Sequence, residues 1–247
     1  LIMRLICANL VLFILLSCSK EEDRSCFKSI GTIISKEINF SPIEELVLKS
    51  DITYVLFRDT LDKIILKGGK NLLNFVEINQ TGKQLSVENK NSCSFLRDYK
   101  DDISVEIHFS SLKKIAFGGS KKMINTTPLL LDSLWIDAFD GSGVIQLNVQ
   151  TNYLKLSSYF GYTDFLINGT SNYLLCYLGG NSYARLYDLA VNDSITVVSN
   201  SQRDILVKPA AIRLKAQLNQ SGNVLYKGFP SSILYSRYGK GELINKN

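Results

Sequence analysis

The sequence predicts an all-β protein, a single-domain solenoid whose rungs are each about 20 residues long. Apolar and polar residues alternate with a period of two through much of the chain, as in half-buried strands. Leucines recur at multiples of twenty positions in the second half, and a fixed period of this length is typical of stacked rungs. Only 4 Pro against 12 Tyr and 12 Phe also favours strands. An antiparallel sandwich is the competing fold, but it requires no fixed period.

Composition excludes several classes of function. The chain has 247 residues, of which 45% are hydrophobic and 21% charged, so it is globular and neither disordered nor collagen-like. The formal net charge of +5 is spread without a block of like charges, so no nucleic-acid partner is expected. A single His and five dispersed Cys predict no metal site, and we expect no cofactor.

The first residues predict export and lipid attachment. Arg4 precedes an apolar run of about a dozen residues, which suits a secretory signal and is too short for a spanning helix of about 20 residues. Leu15-Leu16-Ser17-Cys18 resembles a bacterial lipobox, in which the Cys is acylated and becomes the mature N-terminus. We expect translation to start at Met3 or Leu1, a signal peptide at 1–17, lipidation of Cys18, an acidic tether at 18–35 and one domain at 36–247.

The acidic run Ser19–Asp23 resembles an export tag of Gram-negative surface lipoproteins. It predicts an outer-membrane lipoprotein, displayed at the cell surface and held to the membrane by its acyl chains. A solvated tether is the alternative, and the leaflet stays open. Three cysteines remain in the mature body, an odd number that cannot all pair. A Cys26–Cys93 disulfide is left open, and Cys176 is expected to be a small core residue.

Residues 36–110 are expected to form successive strands. The clearest are Ile52–Phe57, Lys63–Lys67, Phe75–Ile78, Gln84–Glu88 and Ile103–Phe109. In the last of these, apolar and polar residues point to opposite sides. His108 is therefore placed on a polar, solvated face, with no second ligand at metal spacing.

From about Leu112 the chain repeats about every 20 residues, in three columns that share one register. Leucines that should face the core form the first column: Leu134, Leu154, Leu174, Leu214 and Leu234. Turn-forming residues form the second: Gly141, Gly161, Asn181, Ser201 and Ser221. The third is Asp132, Asn152, Asn172 and Asn192, which we expect to be a stacked ladder with a structural role. The copy at Ile195–Ser201 is slipped by one residue at its start.

Eight short motifs follow one another along the chain: Ser41–Leu48, Ile52–Phe57, Gly68–Leu73, Ile103–Phe109, Leu112–Ser120, Asp140–Gly143, Gly222–Pro230 and Gly239–Ile244. In this order they resemble the putative auto-transporter adhesin, head GIN domain family, over most of the mature chain. The resemblance implies a right-handed parallel β-helix-like solenoid and a surface lipoprotein, and it implies no catalytic residues. The family's Gly-Ser-Gly is missing at Phe160–Thr163 and at Asn200–Arg203.

Residues that alternate with the core column face outward on each rung. This outward set is rich in aromatic side chains: Trp135, Phe139, Tyr153, Tyr159, Tyr173, Tyr177 and Tyr235. Its columns also contain Lys155, Arg213, Lys215 and Arg237. An exposed aromatic patch usually marks an interaction site, so the set predicts an adhesin that binds a glycan or an envelope or host surface protein. Self-association as a homo-oligomeric structural envelope protein, and a role limited to stiffening the sheet, are the alternatives.

A polysaccharide lyase or hydrolase is the hypothesis from a different class, since parallel β-helices host such enzymes. Its candidate residues are Asp137, Asp140, Asp164 and Asp204, with Arg185 or Arg203. Acid–base catalysis on a glycosidic bond needs two carboxylates at a defined separation, and these residues lie in different columns. No nucleophile elbow, phosphate loop or paired-His motif accompanies them. The sequence therefore favours a protein that binds rather than catalyses.

Overall fold

Strands dominate the part of the chain that the structure describes. The computed structural model describes residues 29–91 and 102–247, of which 67% are in strands and 2% in helix. The predicted signal peptide, Cys18 and both cysteines of the Cys26–Cys93 pair lie outside these residues. Across the described ranges, no helix has the length and apolar character required to cross a bilayer.

The alternating pattern of the sequence produces 18 strands and one short helix among the described residues. The elements are β1 (Ile33–Asn39), β2 (Glu45–Ser50), β3 (Ile52–Arg58), β4 (Lys63–Gly69), α1 (Lys70–Leu73), β5 (Val76–Thr81), β6 (Gln84–Asn89), β7 (Ile103–Phe109), β8 (Lys114–Gly119), β9 (Lys122–Asn125), β10 (Leu129–Ala138), β11 (Val144–Ser158), β12 (Asp164–Gly180), β13 (Tyr183–Ser201), β14 (Ile205–Pro209), β15 (Arg213–Leu218), β16 (Val224–Tyr226), β17 (Ser232–Arg237) and β18 (Leu243–Asn245). Every strand predicted between residues 36 and 110 is present. β1 begins at Ile33, inside the stretch predicted as the end of the tether.

The long strands of the second half stack in parallel, which confirms the predicted solenoid. β10 pairs with β11, β11 with β12 and β12 with β13, all in parallel. Leu134 lies opposite Leu154, and Leu154 opposite Leu174, so the leucine column runs through the core. The solenoid has about 7 turns.

The long strand β11 shows how one strand contributes to two faces. In β11 the alternation of burial breaks at Asn152 and Tyr153, which are both exposed. Residues 144–149 before this corner belong to what we call the first face, where β11 pairs with β9. Residues 153–158 after it belong to the second face, where β11 pairs with the end of β10. The apolar residues of both faces point inward and form one continuous core.

The repeat departs from a strict period of twenty at two places. Leu174 pairs with Ile195 and Ile195 with Leu214, so the predicted slip occurs and is then recovered. The prediction for Leu234 was wrong, because Leu214 pairs with Ile233 while Leu234 lies beside Lys215 and is 61% exposed. The last rung is one residue shorter, and a shift of one residue moves a side chain to the opposite side of the sheet.

Glycines hold the turn column because successive turns lie in contact. A Cβ on Gly161 would lie 2.7 Å from the carbonyl oxygen of Gly141, and the φ of Gly161 is +106°. Gly180, rather than the predicted Asn181, continues this column. The amide of Tyr162, the residue after Gly161, donates to the carbonyl of Gly141, and the amide of Asn181, the residue after Gly180, donates in the same way to the carbonyl of Gly161. The turns at Gly161 and Gly180 therefore leave no room for a side chain at the point of closest approach. Ser201, which lies opposite Gly180, continues the column with a buried hydroxyl group that donates to the carbonyl of Ser182 at 2.6 Å.

The first third of the described chain mixes parallel and antiparallel pairing. β2 pairs with β8, and β3 with β7, in parallel, as in a solenoid. β4, however, runs antiparallel between β1 and β7, and β5 and β6 form an antiparallel hairpin. The sequence pattern predicted these strands but not their direction, because alternation is the same in both types of sheet.

The sequence predicted the environments of Cys176 and His108, and only the prediction for Cys176 is confirmed. Cys176 is fully buried, as expected, and this burial raises the pKa of its thiol to about 12. The expectation of a solvated His108 was wrong: its side chain is only 15% exposed. Its ring stacks on Phe57 with centroids 4.6 Å apart, and its Nδ1 lies 2.9 Å from Asp59 Oδ2.

Candidate functional site

The second face brings together six of the seven predicted aromatic side chains. They lie on three neighbouring rungs and are Trp135 and Phe139, Tyr153 and Tyr159, and Tyr173 and Tyr177. The regular register of the rungs produces this grouping, because residues twenty apart occupy adjacent strands. The side chains nevertheless divide into three environments.

The first environment is a pair of exposed tyrosines beside the corner of the solenoid. Tyr153 and Tyr173 lie opposite each other on β11 and β12, and each is 40% exposed. Adjacent strands lie about 4.8 Å apart, so the two side chains project side by side. A hydrogen bond to Asp193, together with the charge of that carboxylate, raises the pKa of Tyr173. The exposed Arg213 continues the column two strands further on.

An amide ladder runs along the corner directly next to these tyrosines. Asn172 Nδ2 donates to Asn152 Oδ1 at 2.9 Å, and Asn192 Nδ2 donates to Asn172 Oδ1 at 3.1 Å. Asp132 precedes them in the same column, and its side chain makes no hydrogen bond within the described chain. The ladder leaves part of each amide free, because each Asn has two donor hydrogens and two acceptor lone pairs.

The corner forms an open groove of about 500 Å³. Its lining is polar and almost uncharged, and consists of Leu130, Leu131, Asp132, Gln150, Thr151, Asn152, Thr170, Asn172 and Asn192. A volume of this size lies within the range of small-ligand sites. Together, the amide groove and the Tyr153–Tyr173 pair form what we call the corner site.

Trp135 occupies a different environment, in which both its polar and its aromatic surfaces have partners. The indole Nε1 donates to Ser157 Oγ at 2.8 Å. Lys155 Nζ lies 3.8 Å from the ring centroid and Lys114 Nζ 4.9 Å from it. These cations cover the ring, so Trp135 stiffens the sheet and its face is not free for a ligand.

The third environment surrounds the turn that follows β11. Tyr159, which is 55% exposed, contacts Tyr177 with ring centroids 5.2 Å apart. Phe139 packs on Gly118, where a Cβ would lie 2.8 Å from the phenyl ring. The same turn exposes Phe160 and Tyr162, by 74% and 62%. This aromatic turn is about 20 Å from Tyr153 along the strand, since six residues separate Tyr159 from it.

Tyr235 does not belong to the second face. It lies opposite the buried Ala216, so it points toward the core side of the last strand, yet it is 41% exposed. Its predicted place among the outward aromatics followed from the same one-residue error as Leu234.

The remaining predicted cations do not converge on one point. Lys155 covers Trp135, and the exposed Lys215 lies one strand beyond Thr196. Arg237 pairs with Glu242 at 3.1 Å at the end of the solenoid. The cations therefore lie at separate places on the solenoid.

The carboxylates proposed for catalysis bind different neighbours. Asp137 accepts from Ser157 Oγ at 2.9 Å, and Asp164 pairs with Arg203 at 2.6 Å. Asp204 accepts from the backbone and side-chain nitrogens of Asn223 at 2.9 and 3.0 Å.

The other two members of the catalytic set are equally separate. Asp140 occupies a turn with a φ of +49°, and Arg185 pairs with Asp188 at 3.3 Å. Within residues 29–91 and 102–247, no group of three His, Cys, Asp or Glu side chains is placed to hold a metal ion. Three of the four carboxylates proposed for catalysis are thus bound to different partners, and none of these contacts joins two of them.

A comparison with known protein families identifies the family of this chain. Residues 42–230 match the family described as putative auto-transporter adhesin, head GIN domain. The chain belongs to this family. No curated protein matches the sequence.

Solved structures share the head GIN fold over nearly their whole length. An adhesin described as putative from Bacteroides fragilis superposes with a TM-score of 0.78 at 19% identity, over 87% of this chain and 97% of that one. A second, from Parabacteroides distasonis, gives 0.63 at 17% identity over 87% and 98%. A protein from the same organism described as a putative lipid binding protein gives 0.61 at 17% identity over 88% and 98%. At these identities the similarity establishes the shared fold.

Sequence reasoning missed several residues of this head GIN chain that line exposed surfaces. Leu130, Gln150 and Thr170 line the groove together with the Asp/Asn ladder, for which the sequence predicted only a structural role. A break in alternation, with two polar or aromatic residues in succession, marks the corner and could have located it. Phe160 and Tyr162 stand where the preceding rung has Asp140 and Ser142, and that replacement was the signal for an exposed aromatic turn.

Proposed function

We propose that this head GIN protein is a lipid-anchored adhesin of the cell envelope that binds neutral glycans at the corner site. Family membership indicates an envelope or surface protein with an adhesive role. The observation that carries the proposal is the juxtaposition of the exposed Tyr153–Tyr173 pair with the amide groove.

The chemistry of the corner site suits a sugar polymer. A sugar ring has an apolar face that stacks on an aromatic ring, and its hydroxyl groups form hydrogen bonds with amides and hydroxyls. The tyrosines offer the first kind of surface, and Asn152, Gln150 and Thr170 offer the second. Two neighbouring rungs carry the same Asn-Tyr pair, at 152–153 and at 172–173, which suits a ligand that is itself a repeating chain.

The charge of the groove favours a neutral ligand. Its lining contains one carboxylate, Asp132, and no Lys or Arg. A uronic acid or a sulfate would enter this groove without a cation to pair with, and burying an unpaired charge is costly. The neutral hydroxyls of a hexose chain would find donors and acceptors in the groove.

The membrane anchor is a separate part of the proposal and rests on the N-terminal sequence. Cleavage before Cys18 and acylation of its sulfur would hold the domain at a membrane, with the tether before β1 as spacer. Radiolabelled palmitate should be incorporated by the wild-type chain and not by Cys18→Ser. Labelling of that variant would contradict the anchor and would leave the corner site untouched.

A glycan array tests the ligand class. The chain Ser19–Asn247, which contains every described strand, should bind neutral glycans saturably and should leave sulfated and uronic-acid glycans unbound. Tyr153→Ala should lose this signal, whereas Tyr159→Ala, which removes an exposed tyrosine at the far end of the same face, should keep it. Equal loss in both variants, or binding of anionic glycans alone, would contradict the corner site.

A further inference from the structure

The C-terminal end of the solenoid carries a dense group of exposed apolar side chains. Five of the thirteen exposed large hydrophobic side chains in the described chain lie within residues 229–238. They form what we call the terminal rung surface, and are Phe229, Ile233, Leu234, Tyr235 and Tyr238. A concentration of this kind usually marks a contact surface.

Two of these side chains occupy core positions that no further rung of the described chain covers. Ile233 continues the column of Leu214, and Tyr235 continues that of Ala216. Ile233 and Tyr235 are 45% and 41% exposed, although the residues behind them are at most 1% exposed. Among the described strands, β17 pairs along one edge only, with β15. The end of the solenoid therefore exposes the same kind of surface that each interior rung buries against the next: a free strand edge with apolar residues on its core side.

The third inward position of β17 is closed by a polar cap. Arg237 continues the column of Leu218, pairs with Glu242 at 3.1 Å and donates from Nε to the carbonyl of Gly239 at 3.1 Å. Natural edge strands are usually protected by charges of this kind. The protection stops at Arg237 and leaves Ile233 and Tyr235 without it.

The opposite end of the solenoid is protected differently. On the second face, to which β17 belongs, the outermost strand at that end is β5, and four of its six residues are polar and exposed: Glu77, Asn79, Gln80 and Thr81. On the first face the outermost strand is β1, in which Glu37 pairs with Lys63 at 3.2 Å. Terminal repeats of solenoids normally need such a polar outer side. The two ends are thus not complementary to each other, because a head-to-tail contact between copies would place the polar strand β5 against Ile233 and Tyr235.

A partner that fits the terminal rung surface must supply a free strand edge to pair with β17. It must also place apolar side chains at every second position on the core side of that strand. The same end of a second copy supplies both. A two-fold axis perpendicular to the second face would place β17 antiparallel to its copy and would keep inward residues inward. In the register centred on Leu234, each Ile233 lies opposite Tyr235 of the second copy.

We infer that two copies of this chain associate end to end through the terminal rung surface and form a closed, two-fold symmetric dimer. The contact continues the rung interface of the fold across the axis. It uses neither the corner site nor the aromatic turn, so it stands independently of glycan binding.

Sedimentation of the chain Ser19–Asn247 over a range of concentrations tests the dimer. The wild-type chain should reach the mass of a dimer and stop there. Tyr235→Glu should shift it to monomer while its cooperative unfolding transition is retained, because the side chain is already partly exposed. Phe160→Glu, which adds the same charge at an exposed aromatic residue of the turn, should stay dimeric. A monomeric wild-type chain, open-ended polymers, or a dimer that persists in Tyr235→Glu would overturn the inference.

Disulfide trapping tests the register without any loss of folding. In a background with Cys26→Ser and Cys93→Ser, Leu234→Cys should form a covalent dimer on mild oxidation, because residue 234 meets its own copy on the axis. Leu130→Cys, at an exposed leucine beside the corner, should remain monomeric on a non-reducing gel. Cross-linking of Leu130→Cys in place of Leu234→Cys would assign the contact to the groove and contradict the end-to-end dimer.

Discussion

The two halves of this solenoid are held together by different interactions, although both stack strands around one core. In the described chain, eight Lys–carboxylate ion pairs and the His108–Asp59 contact lie between Glu37 and Lys121, whereas three ion pairs lie beyond residue 163. The second half instead uses amide ladders, such as Asn152–Asn172–Asn192, and closely stacked glycine turns. Regular parallel rungs repeat one residue at one position, which suits uncharged ladders, whereas like charges would repel there.

The same contrast appears in the titration of the carboxyl groups. All four carboxyl groups with a resolved shift lie between residues 44 and 88, and each has a lowered pKa. The largest cause is a hydrogen bond from a basic side chain: Lys83 for Glu44, Lys114 for Glu45, His108 for Asp59 and Lys90 for Glu88. The first half is therefore expected to depend on pH and the second half on close backbone packing.

The most severe way to disturb the second half is to add one methyl group between two rungs. Gly169→Ala would place its Cβ against the carbonyl oxygen of Val149, at a φ of +107° that side chains rarely adopt. Overpacking costs about 1–3 kcal/mol and backbone strain about 1–3 kcal/mol, so urea denaturation should report a loss of about 2–6 kcal/mol. The matched change Gly82→Ala, at a φ of +58° with nothing within 4 Å, should cost about 1 kcal/mol. Equal losses would mean that close stacking of the rungs adds nothing.

A milder change removes one member of the amide ladder. Asn172→Ala deletes the two hydrogen bonds to Asn152 and Asn192, and each such bond contributes about 0.5–1.5 kcal/mol. Because the ladder is exposed, we expect a total loss near the lower end, about 1 kcal/mol. Asp132→Ala, in the same column but without a ladder bond, should leave the free energy of unfolding unchanged. If the two variants are equally stable, the ladder makes no net contribution to the stability of the second half.

The smallest expected effect is a local loss of protection in acid. A lowered folded pKa means that the stabilisation is complete above the unfolded value, 4.5 for Glu, and is lost as pH falls through the folded pKa values. Hydrogen exchange measured at pH 7 and below pH 4.5 should therefore show weaker protection of β2 and β6, relative to β11 and β12, in acid. Glu44→Gln should reduce this difference, since its carboxyl group no longer titrates. Uniform loss of protection in both halves would contradict the contrast.

The period of the sequence predicted the solenoid because each rung repeats the same burial pattern. Leu134, Leu154 and Leu174 could be aligned by counting, and they do form one column. Counting failed at Leu234 because the rung from Leu214 to Ile233 is one residue shorter. The side to which Tyr235 points was predicted wrongly for the same reason, so the terminal rung surface could not be predicted from the sequence.

The corner site could be predicted only in part. The columns placed Tyr153 beside Tyr173 and Asn152 beside Asn172, but a list of columns gives no information on the bend between them. The spacing of residues also does not reveal that the side chains of Lys155 and Lys114 extend over the indole ring of Trp135 and cover it. The antiparallel pairing of β4 was beyond the pattern as well, since alternation is independent of strand direction.

The central claim is that sugar rings stack on the tyrosines of the corner site, and titration calorimetry with a neutral oligosaccharide tests it most directly. Tyr173→Phe keeps the ring and removes only the hydroxyl group that bonds Asp193, so it should bind as the wild-type chain does. Tyr173→Ala removes the ring and should weaken binding at least tenfold, which is about 1.4 kcal/mol. Wild-type affinity in Tyr173→Ala, or an equal loss in both variants, would contradict stacking at this site.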